Sequence, residues 1–591
     1  MLRCQLPLLQ KIDHNRNMLE SPFLDSGAGF FRFTYISFQI RPNHRQPILM
    51  DKQYDVIIAG SGIAGTTLGA VLAKEGLQVL IIELGKHPRF ALGEAMLPQS
   101  AIWPFMIGEA FDIPEIAHLS HADRIIDNIT TSCGVKHSIG FVHHTEGASH
   151  DSNRVHQLIP PHLPFYSESH LMREEVDVFL LEAARTRGCD YLDETAITDV
   201  HIDETGVRVT TSRGNFSAAY YVDASGRKSL LAEKEGYRDN APELATHSRA
   251  IFAHVEGMPR YDDLVSGLPA QNRALHEGTL HHMFDGGWIW VIPFDNYHRS
   301  ESNAASIGLM LDPRIFPVLE DMTPEEEFHH RIAAFPAIAK QLQNVQAIRP
   351  FVRTGRLQYG SSQSVGHRHF TTNNTFGFTD PLYSNGLINT FETVFYGANH
   401  ILQAFAAGGR DEDFAAEKFE ALEHLHHEQL RQADWMISNA YRAMKDFRTW
   451  NAWTQVWLGQ VLFNDLWLQR ACFQYFSSGD RNRFQAFMAE HKPGMHAPFA
   501  GGRAELFSRA ETALSRMEAG EITAEAAADA ILEALRMQEW LPKHVYDWGN
   551  PESRHVDFTV METVGKLFEW GATQAPDGIR NELFDFELPA A

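Results

Sequence analysis

Two tryptophans separated by one residue, in Gly287-Trp288-Ile289-Trp290-Val291-Ile292-Pro293, have the spacing that says most about chemistry in this chain. In a strand, residues i and i+2 share a face, so the two indoles form one apolar wall. Such a wall bars an organic molecule from whatever reactive group stands behind it. A second constellation, Gly60-Ser61-Gly62-Ile63-Ala64-Gly65 with Glu83 after it, is suited to a nucleotide. Gly60 permits a tight turn, Gly62 lets the backbone approach a pyrophosphate, Gly65 allows helix and strand to pack closely, and Glu83 is placed for ribose hydroxyls. The third is Phe378-Thr379-Asp380-Pro381-Leu382-Tyr383-Ser384-Asn385-Gly386. It runs straight into a helical pattern, so the N–H groups of Asn385, Gly386 and Leu387 lie at a predicted helix start, a natural seat for an anion.

These groups need elements to hold them. Tyr54-Asp55-Val56-Ile57-Ile58-Ala59 reads as a buried strand, residues 63–76 as a helix, and Val79-Leu80-Ile81-Ile82 as a second strand ending at Glu83. Strand, turn, helix, strand and terminal acid together make a βαβ nucleotide unit. Leu387 to Ala406 reads as a helix. Beyond residue 406 the pattern turns helical, with helices expected over 414–430, 435–447, 454–475, 503–517 and 524–537. Trp450, Trp453, Trp457, Phe463 and Trp467 read as core, with a share of them able to close over an aromatic ring. The chain divides into an N-terminal extension over 1–49, disordered or upstream of the true start at Met50, a core over 50–405, and a helical C-terminal domain over 406–591. Ala500-Gly501-Gly502-Arg503 follows no strand, so no second nucleotide domain is expected.

Further segments carry a resemblance. Arg173-Glu174-Glu175-Val176-Asp177 resembles the Arg-x-x-x-Asp element of the flavoenzyme class that includes hydroxybenzoate hydroxylase, and Tyr220-Tyr221-Val222-Asp223-Ala224-Ser225-Gly226 resembles the strand and turn that return to the flavin in that class. Gly93-Glu94-Ala95, the Trp-x-Trp-x-Ile-Pro strand and the Phe-x-x-Pro-x-x-Ser-x-Gly turn are together similar to the motifs of flavin-dependent halogenases. The stretch from His276 to Gly287 and Met444-Lys445-Asp446-Phe447-Arg448-Thr449-Trp450 resemble the pyrrole/phenol branch of that family.

The resemblance implies an α/β fold, FAD-binding and Rossmann-like, with a mixed β-sheet substrate region and a C-terminal helical cap. It implies FAD bound by Gly60, Gly62, Ile63, Ala64, Gly65, Glu83, Glu94, Arg173, Asp223, Asp380, Gly386 and Leu387, and chloride or bromide held by Ser384, Asn385 and Gly386. A separate flavin reductase would supply FADH2. With Trp288 and Trp290 barring the substrate from the flavin, hypohalous acid would pass to a lysine, and Lys136 in Cys133-Gly134-Val135-Lys136-His137 is the best match. A lysine in a dry pocket has its pKa lowered, which frees an amine lone pair. Lys86 and Lys228 are rivals on the nucleotide side. The substrate implied is an electron-rich small arene, a pyrrole or phenol, free or on a carrier protein. Tryptophan halogenases carry Glu where this chain has Tyr383, a departure that argues against tryptophan. The alternatives are an FAD-dependent aromatic monooxygenase on the same scaffold, and a flavin-binding protein that has lost catalysis.

Bulk properties agree with a soluble globular chain: 591 residues, 44% hydrophobic and 21% charged. A formal net charge of -24 argues against nucleic acid or anionic membrane as a partner. The cysteines at 4, 133, 189 and 472 are far apart, so neither a disulfide framework nor a zinc site is expected, and a cytoplasmic setting is the simplest. His424, His426 and His427 lie among glutamates on one expected helix and read as a solvated face, with no metal expected. His143, His144, His281 and His282 are candidate bases that the sequence does not separate.

Overall fold

The computed structural model describes residues 52–584, apart from 161–164, 166–167, 241, 269–272, 485–486 and 488–499. The extension expected over 1–49 lies outside the described residues.

Val56-Ile57-Ile58-Ala59 and Val79-Leu80-Ile81-Ile82 are buried on both faces, the condition under which β-branched and aliphatic runs form interior strands of a parallel sheet. Gln53–Ala59 lies between Val79–Ile82 and Gly214–Asp223, parallel to both. Asp190–Leu192 extends one side, and His369–Thr371 with Val365–Gly366 the other. Helix Ile63–Lys74 covers this sheet and packs against helices Arg173–Thr186 and Asn385–Ala407. The chain thus has the α/β Rossmann-like architecture that the glycine loop demands.

A second, mixed sheet carries the tryptophans. Its order is Gln346–Ala347, Arg249–Glu256, Ala304–Leu311, Gly287–Pro293, Thr279–Phe284, Ile139–His143, Val155–Ile159 and His555–Asp557. The alternation of Gly287–Pro293 decides its layers. Trp288, Trp290 and Ile292 face the cluster that includes the C-terminal helices, while Ile289 and Val291 face a separate core with Phe328, Ile332 and Ile338. A short ribbon, Gly134–Lys136 antiparallel to Glu168–His170, lies at the end of the tryptophan strand.

The C-terminal region is mostly helical, but two readings change. Expected helices over 414–430 and 435–447 are one helix, Glu420–Ala443. No glycine or proline interrupts Arg431-Gln432-Ala433-Asp434, so nothing breaks the helix there. The region also adds a strand to the core, because His555–Asp557 pairs with Gln157–Ile159. Helices Phe447–Ser478, Ala500–Glu518 and Ala524–Arg536 complete the cap. Among the described residues, no helix is long and apolar enough to cross a membrane.

Candidate active site

At the nucleotide end, steric room decides the residue types. Gly60 has φ +96°, and a Cβ there would stand 2.5 Å from the carbonyl oxygen of Ala224. Gly62 starts helix Ile63–Lys74 with no side-chain cap, which leaves the N–H groups of Ile63 and Ala64 for an anion. Among the described residues, the room beside Gly62 is bounded by the Arg89 guanidinium, 3.6 Å from where a Cβ would be. Gly65 packs so closely that a Cβ would stand 2.0 Å from the Gly60 oxygen. Glu83 closes the turn, accepting the Ser61 N–H at 2.9 Å and the Gly85 N–H at 2.9 Å. Burial raises its pKa, but these bonds and Arg89 outweigh it and hold Glu83 ionised. Asp223 sits beside Ala59 and accepts from Ser225 N–H at 3.0 Å and Ser229 Oγ at 2.7 Å. This backbone-lined cradle with a positive side fits a dinucleotide.

Arg173 joins the nucleotide end to the next loop. Its guanidinium grips Asp177 through Nε at 2.8 Å and Nη2 at 3.1 Å, and Nη1 donates to the carbonyls of Leu92 and Gly93. The adjoining Glu94 is buried and meets His254 Nε2 at 2.6 Å. Arg173 and Glu94 therefore fix the loop between the two sheets.

The turn before helix Asn385–Ala407 is strained. Tyr383 has φ +71° and Ser384 φ +54°, two successive left-handed residues that are not glycine, each at a cost of about 1–3 kcal/mol. Packing holds them. The Tyr383 ring stacks on Trp457 at 4.7 Å, its hydroxyl accepts from Trp453 Nε1 at 3.1 Å, and Leu382 N–H donates to Asp380 at 3.0 Å. Asp380 also accepts from Ser248 Oγ at 2.6 Å and Tyr441 OH at 3.1 Å. Burial nevertheless pushes its carboxyl up to about 6. The helix start opens on a small cleft lined by Asn373, Asn374, Asp380, Asn385 and Gly386. Outside its own helix, no atom of the described residues lies within 4 Å of where a Gly386 Cβ would be, and Asn385 and Gly386 line the cleft, whereas the Ser384 N–H is spent on Pro381 O at 3.0 Å.

Trp288 and Trp290 form the expected wall, both buried, with ring centroids 5.9 Å apart. Trp290 donates to Ser306 Oγ at 3.1 Å. Its indole occupies space that only Gly308 leaves free, since a Cβ there would stand 2.0 Å from the ring. Trp288 touches both sides of the site. Its N–H is directed at Asp380 and Tyr441, outside good hydrogen-bond geometry, while its ring lies 5.6 Å from His281.

Beyond His281 is Lys136, 2% exposed. Burial brings its pKa down to about 7, opposed by Glu168, its partner across the ribbon. Among the described residues no carboxylate stands within ion-pair distance of the amine. Burial, with Lys136 next, brings His170 and His281 down to about 3, so neutral imidazoles line the lysine. His170 is fixed by Pro293 O at 2.8 Å and Thr279 Oγ1 at 2.9 Å. Asn296 clamps the lysine strand, accepting from Val135 N–H at 2.9 Å and donating to Val135 O at 2.7 Å. The rivals differ: Lys228 is exposed, and Lys86 is 65% exposed beside Glu194.

Strand alternation separates the candidate histidine bases. His281 stacks on Phe141 at 4.8 Å on the lysine side. His144 and His282 hydrogen-bond each other at 2.9 Å, with Tyr261 packed against them, while His143 is tied to Met444 O at 2.8 Å. The solvated histidine face needs correction. His426 is 1% exposed and bonds Thr393 Oγ1 at 3.0 Å, because that side of Glu420–Ala443 packs on Asn385–Ala407. His427 pairs with Glu423 at 2.9 Å. Sequence reasoning missed Glu168, Asn296, Gly308, Ser248, Tyr441 and His254. Each acts through a partner remote in the chain and none belongs to a local motif.

Comparison with known proteins adds the family. The tryptophan halogenase family model matches residues 163–491, and an FAD binding domain matches residues 55–103. The chain is 35% identical to monodechloroaminopyrrolnitrin halogenase of Pseudomonas fluorescens, over 90% of this chain and 94% of that protein. It is 33% identical to tetracycline 7-halogenase of Kitasatospora aureofaciens, over 90% of this chain and 95% of that protein. The crystal structure of halogenase PltM in complex with phloroglucinol and FAD superposes with TM-score 0.79 at 32% identity, covering 85% of this chain and 99% of that one. With a nucleotide cradle, a paired-indole wall and family similarity along nearly its whole length, this chain belongs to the flavin-dependent halogenases.

Proposed function

We propose that the enzyme halogenates an electron-rich pyrrole or phenol, using FADH2, oxygen and chloride or bromide. The observation that carries this reading is the buried Lys136 beside His281, with the paired Trp288 and Trp290 indoles next to that histidine. The cradle of Gly60, Gly62, Ile63, Ala64, Gly65 and Glu83, with Glu94, Arg173, Asp223, Asp380, Gly386 and Leu387, would hold FAD. Bound and reduced, FAD supplies with oxygen the two-electron oxidant that converts halide to hypohalous acid. A separate flavin reductase supplies the reduced flavin.

The chain's own residues then act in sequence. Within the Ser384-Asn385-Gly386 turn, the backbone N–H groups of Asn385 and Gly386 hold the halide by the partial positive charge of a helix start, the Ser384 N–H being spent on Pro381 O. Trp288 and Trp290 exclude the arene from the flavin side. The Lys136 amine receives hypohalous acid, either as a hydrogen-bond acceptor for its O–H or as a nucleophile forming N–X with loss of water. Transfer of X to the ring carbon forms C–X, and the ring proton leaves as the N–X bond electrons return to nitrogen. Regioselectivity then rests on the ring's orientation before Lys136.

Product mass spectrometry tests this. Purified protein, FAD, a flavin reductase with NADH, and oxygen are given pyrroles, phenols and indoles, with chloride, bromide or neither. The expected result is a halide-dependent isotope pattern on pyrroles or phenols that vanishes in Lys136→Ala. Oxygenated product regardless of halide would overturn the reading in favour of a monooxygenase.

A further inference from the structure

We infer that Tyr383 is a positioning residue for the halide, through which helix Phe447–Ser478 keeps the Asn385 and Gly386 N–H groups in an anion-binding arrangement. The inference rests on the proposed halide seat and names what holds that seat in shape.

Three observations carry it. First, the seat is a backbone conformation. Ser384 is left-handed at φ 54° and ψ 29°, and Asn385 is right-handed at φ -72° and ψ -14°. That alternation turns successive N–H groups to one side, the concavity that anions occupy. Second, the residue types alone do not produce it. Tyr383 precedes the pair at φ 71°, and neither Tyr383 nor Ser384 is a glycine. A bulky ring enters the left-handed region only where its surroundings impose it. Third, one face of the helix imposes it. Trp453 and Trp457, one turn apart, hold the buried Tyr383 ring at two points. Trp457 stacks on the ring at 4.7 Å with the planes 19° apart, and Trp453 Nε1 donates to its hydroxyl at 3.1 Å. Both indoles are backed in turn, Trp453 by Trp435 at 5.4 Å and Trp457 by Phe141 at 6.0 Å. The clamp is therefore itself fixed by the surrounding core.

The consequence falls on the halide. Were Tyr383 to return to an ordinary negative φ, the peptide joining it to Ser384 would rotate. The Asn385 and Gly386 N–H groups would then cease to converge. Left-handed strain at two residues is comparable in size to one aromatic stack and one buried hydrogen bond. Losing either contact thus loosens the turn while the rest of the helix stays packed. The glycine loop at Gly60 to Gly65 and the ribbon of Gly134–Lys136 stand on other elements.

The test is a bromide titration of the FAD-loaded enzyme followed by flavin absorbance, with KM for bromide and for a phenol measured on the same proteins. Tyr383→Phe keeps the ring and its stack but loses the hydroxyl, and is expected to raise the bromide Kd about tenfold. Trp453→Phe removes the donor and is expected to act alike. The two together are expected to do no more than one, because they break the same bond. The phenol KM and the FAD affinity are expected to stay within about twofold, since other elements carry them. Flavin content and thermal melts report whether each variant folds. A Tyr383→Phe protein with the wild-type bromide Kd, losses that add in the double variant, or an equal loss of FAD affinity overturns the inference. A wild type that forms brominated product while bromide leaves its flavin spectrum unchanged overturns the seat itself. That result is distinct from a saturable wild-type response that Tyr383→Phe leaves as it was.

Discussion

At the nucleotide end the polar groups are close in sequence and satisfied. Glu83 takes the N–H groups of Ser61 and Gly85, and Asp223 takes Ser225 and Ser229. At the lysine end they come from distant segments and are sealed from water: Lys136 stands opposite Glu168, with His170 and His281 beside it. The difference follows from what each end must do. A pyrophosphate is bound by fixed backbone dipoles, which stay effective beside water. An amine that is to present a lone pair near neutral pH must be kept dry, because water would hold it protonated. Binding is built from local geometry, and reactivity from burial.

The sharpest way to break that division is Lys136→Met. Methionine fills the same space without an amine, so halogenated product is expected to fall by about 10³-fold, as measured by mass spectrometry. FAD affinity, followed by flavin fluorescence, should stay near wild type. A parallel loss of FAD binding would mean that the two ends are not separable.

Gly308→Ala probes the wall between them. The added methyl would stand 2.0 Å from the Trp290 ring, and overpacking of this kind costs about 1–3 kcal/mol. A lower denaturation midpoint is expected, together with a rise in peroxide released per flavin oxidised as the indole gives way. An unchanged midpoint would show that the ring moves freely and is no barrier.

The contrast also explains what could be read in advance. The glycine loop, Glu83 and the Trp288–Trp290 face were legible because turn sterics, helix starts and strand alternation act within a few residues. Lys136 was legible only through resemblance, since one buried lysine looks like any other in sequence. Its surroundings were not legible: Glu168 faces it by strand pairing, Asn296 reaches it from the loop after the tryptophan strand, and Gly308 yields to Trp290 from the next strand. The split of Glu420–Ala443 into two helices failed for a different reason. Arg431-Gln432-Ala433-Asp434 contains no glycine or proline, so the expected boundary has no helix breaker behind it and the residues continue the helix.

Asn296→Ala gives a smaller effect on the lysine end alone. It removes both bonds to Val135 and the bond to His276 O at 2.9 Å, which loosens the strand that aims Lys136. An about tenfold fall in kcat is expected, corresponding to about 1.4 kcal/mol, with FAD affinity again unchanged. Equal losses in kcat and FAD affinity would indicate a general structural role instead.

Glu168→Gln carries the smallest effect and the most specific sign. If Lys136 works as a free amine with pKa about 7, kcat should rise from the acid side through neutrality. Glu168, when ionised, favours the charged ammonium and so raises the lysine pKa. Glutamine removes that attraction, so the acid limb of the kcat profile should move to lower pH and the variant should lose less activity on acidification. The shift is modest because burial pushes Glu168 itself up to about 8, leaving it largely neutral where the lysine titrates. A profile that instead falls on the alkaline side through neutrality, with that limb moving to lower pH in the variant, would mean that the ammonium, as a hydrogen-bond donor to hypohalous acid, is the working form. Such a result would leave the dry pocket intact but reverse the reason for it.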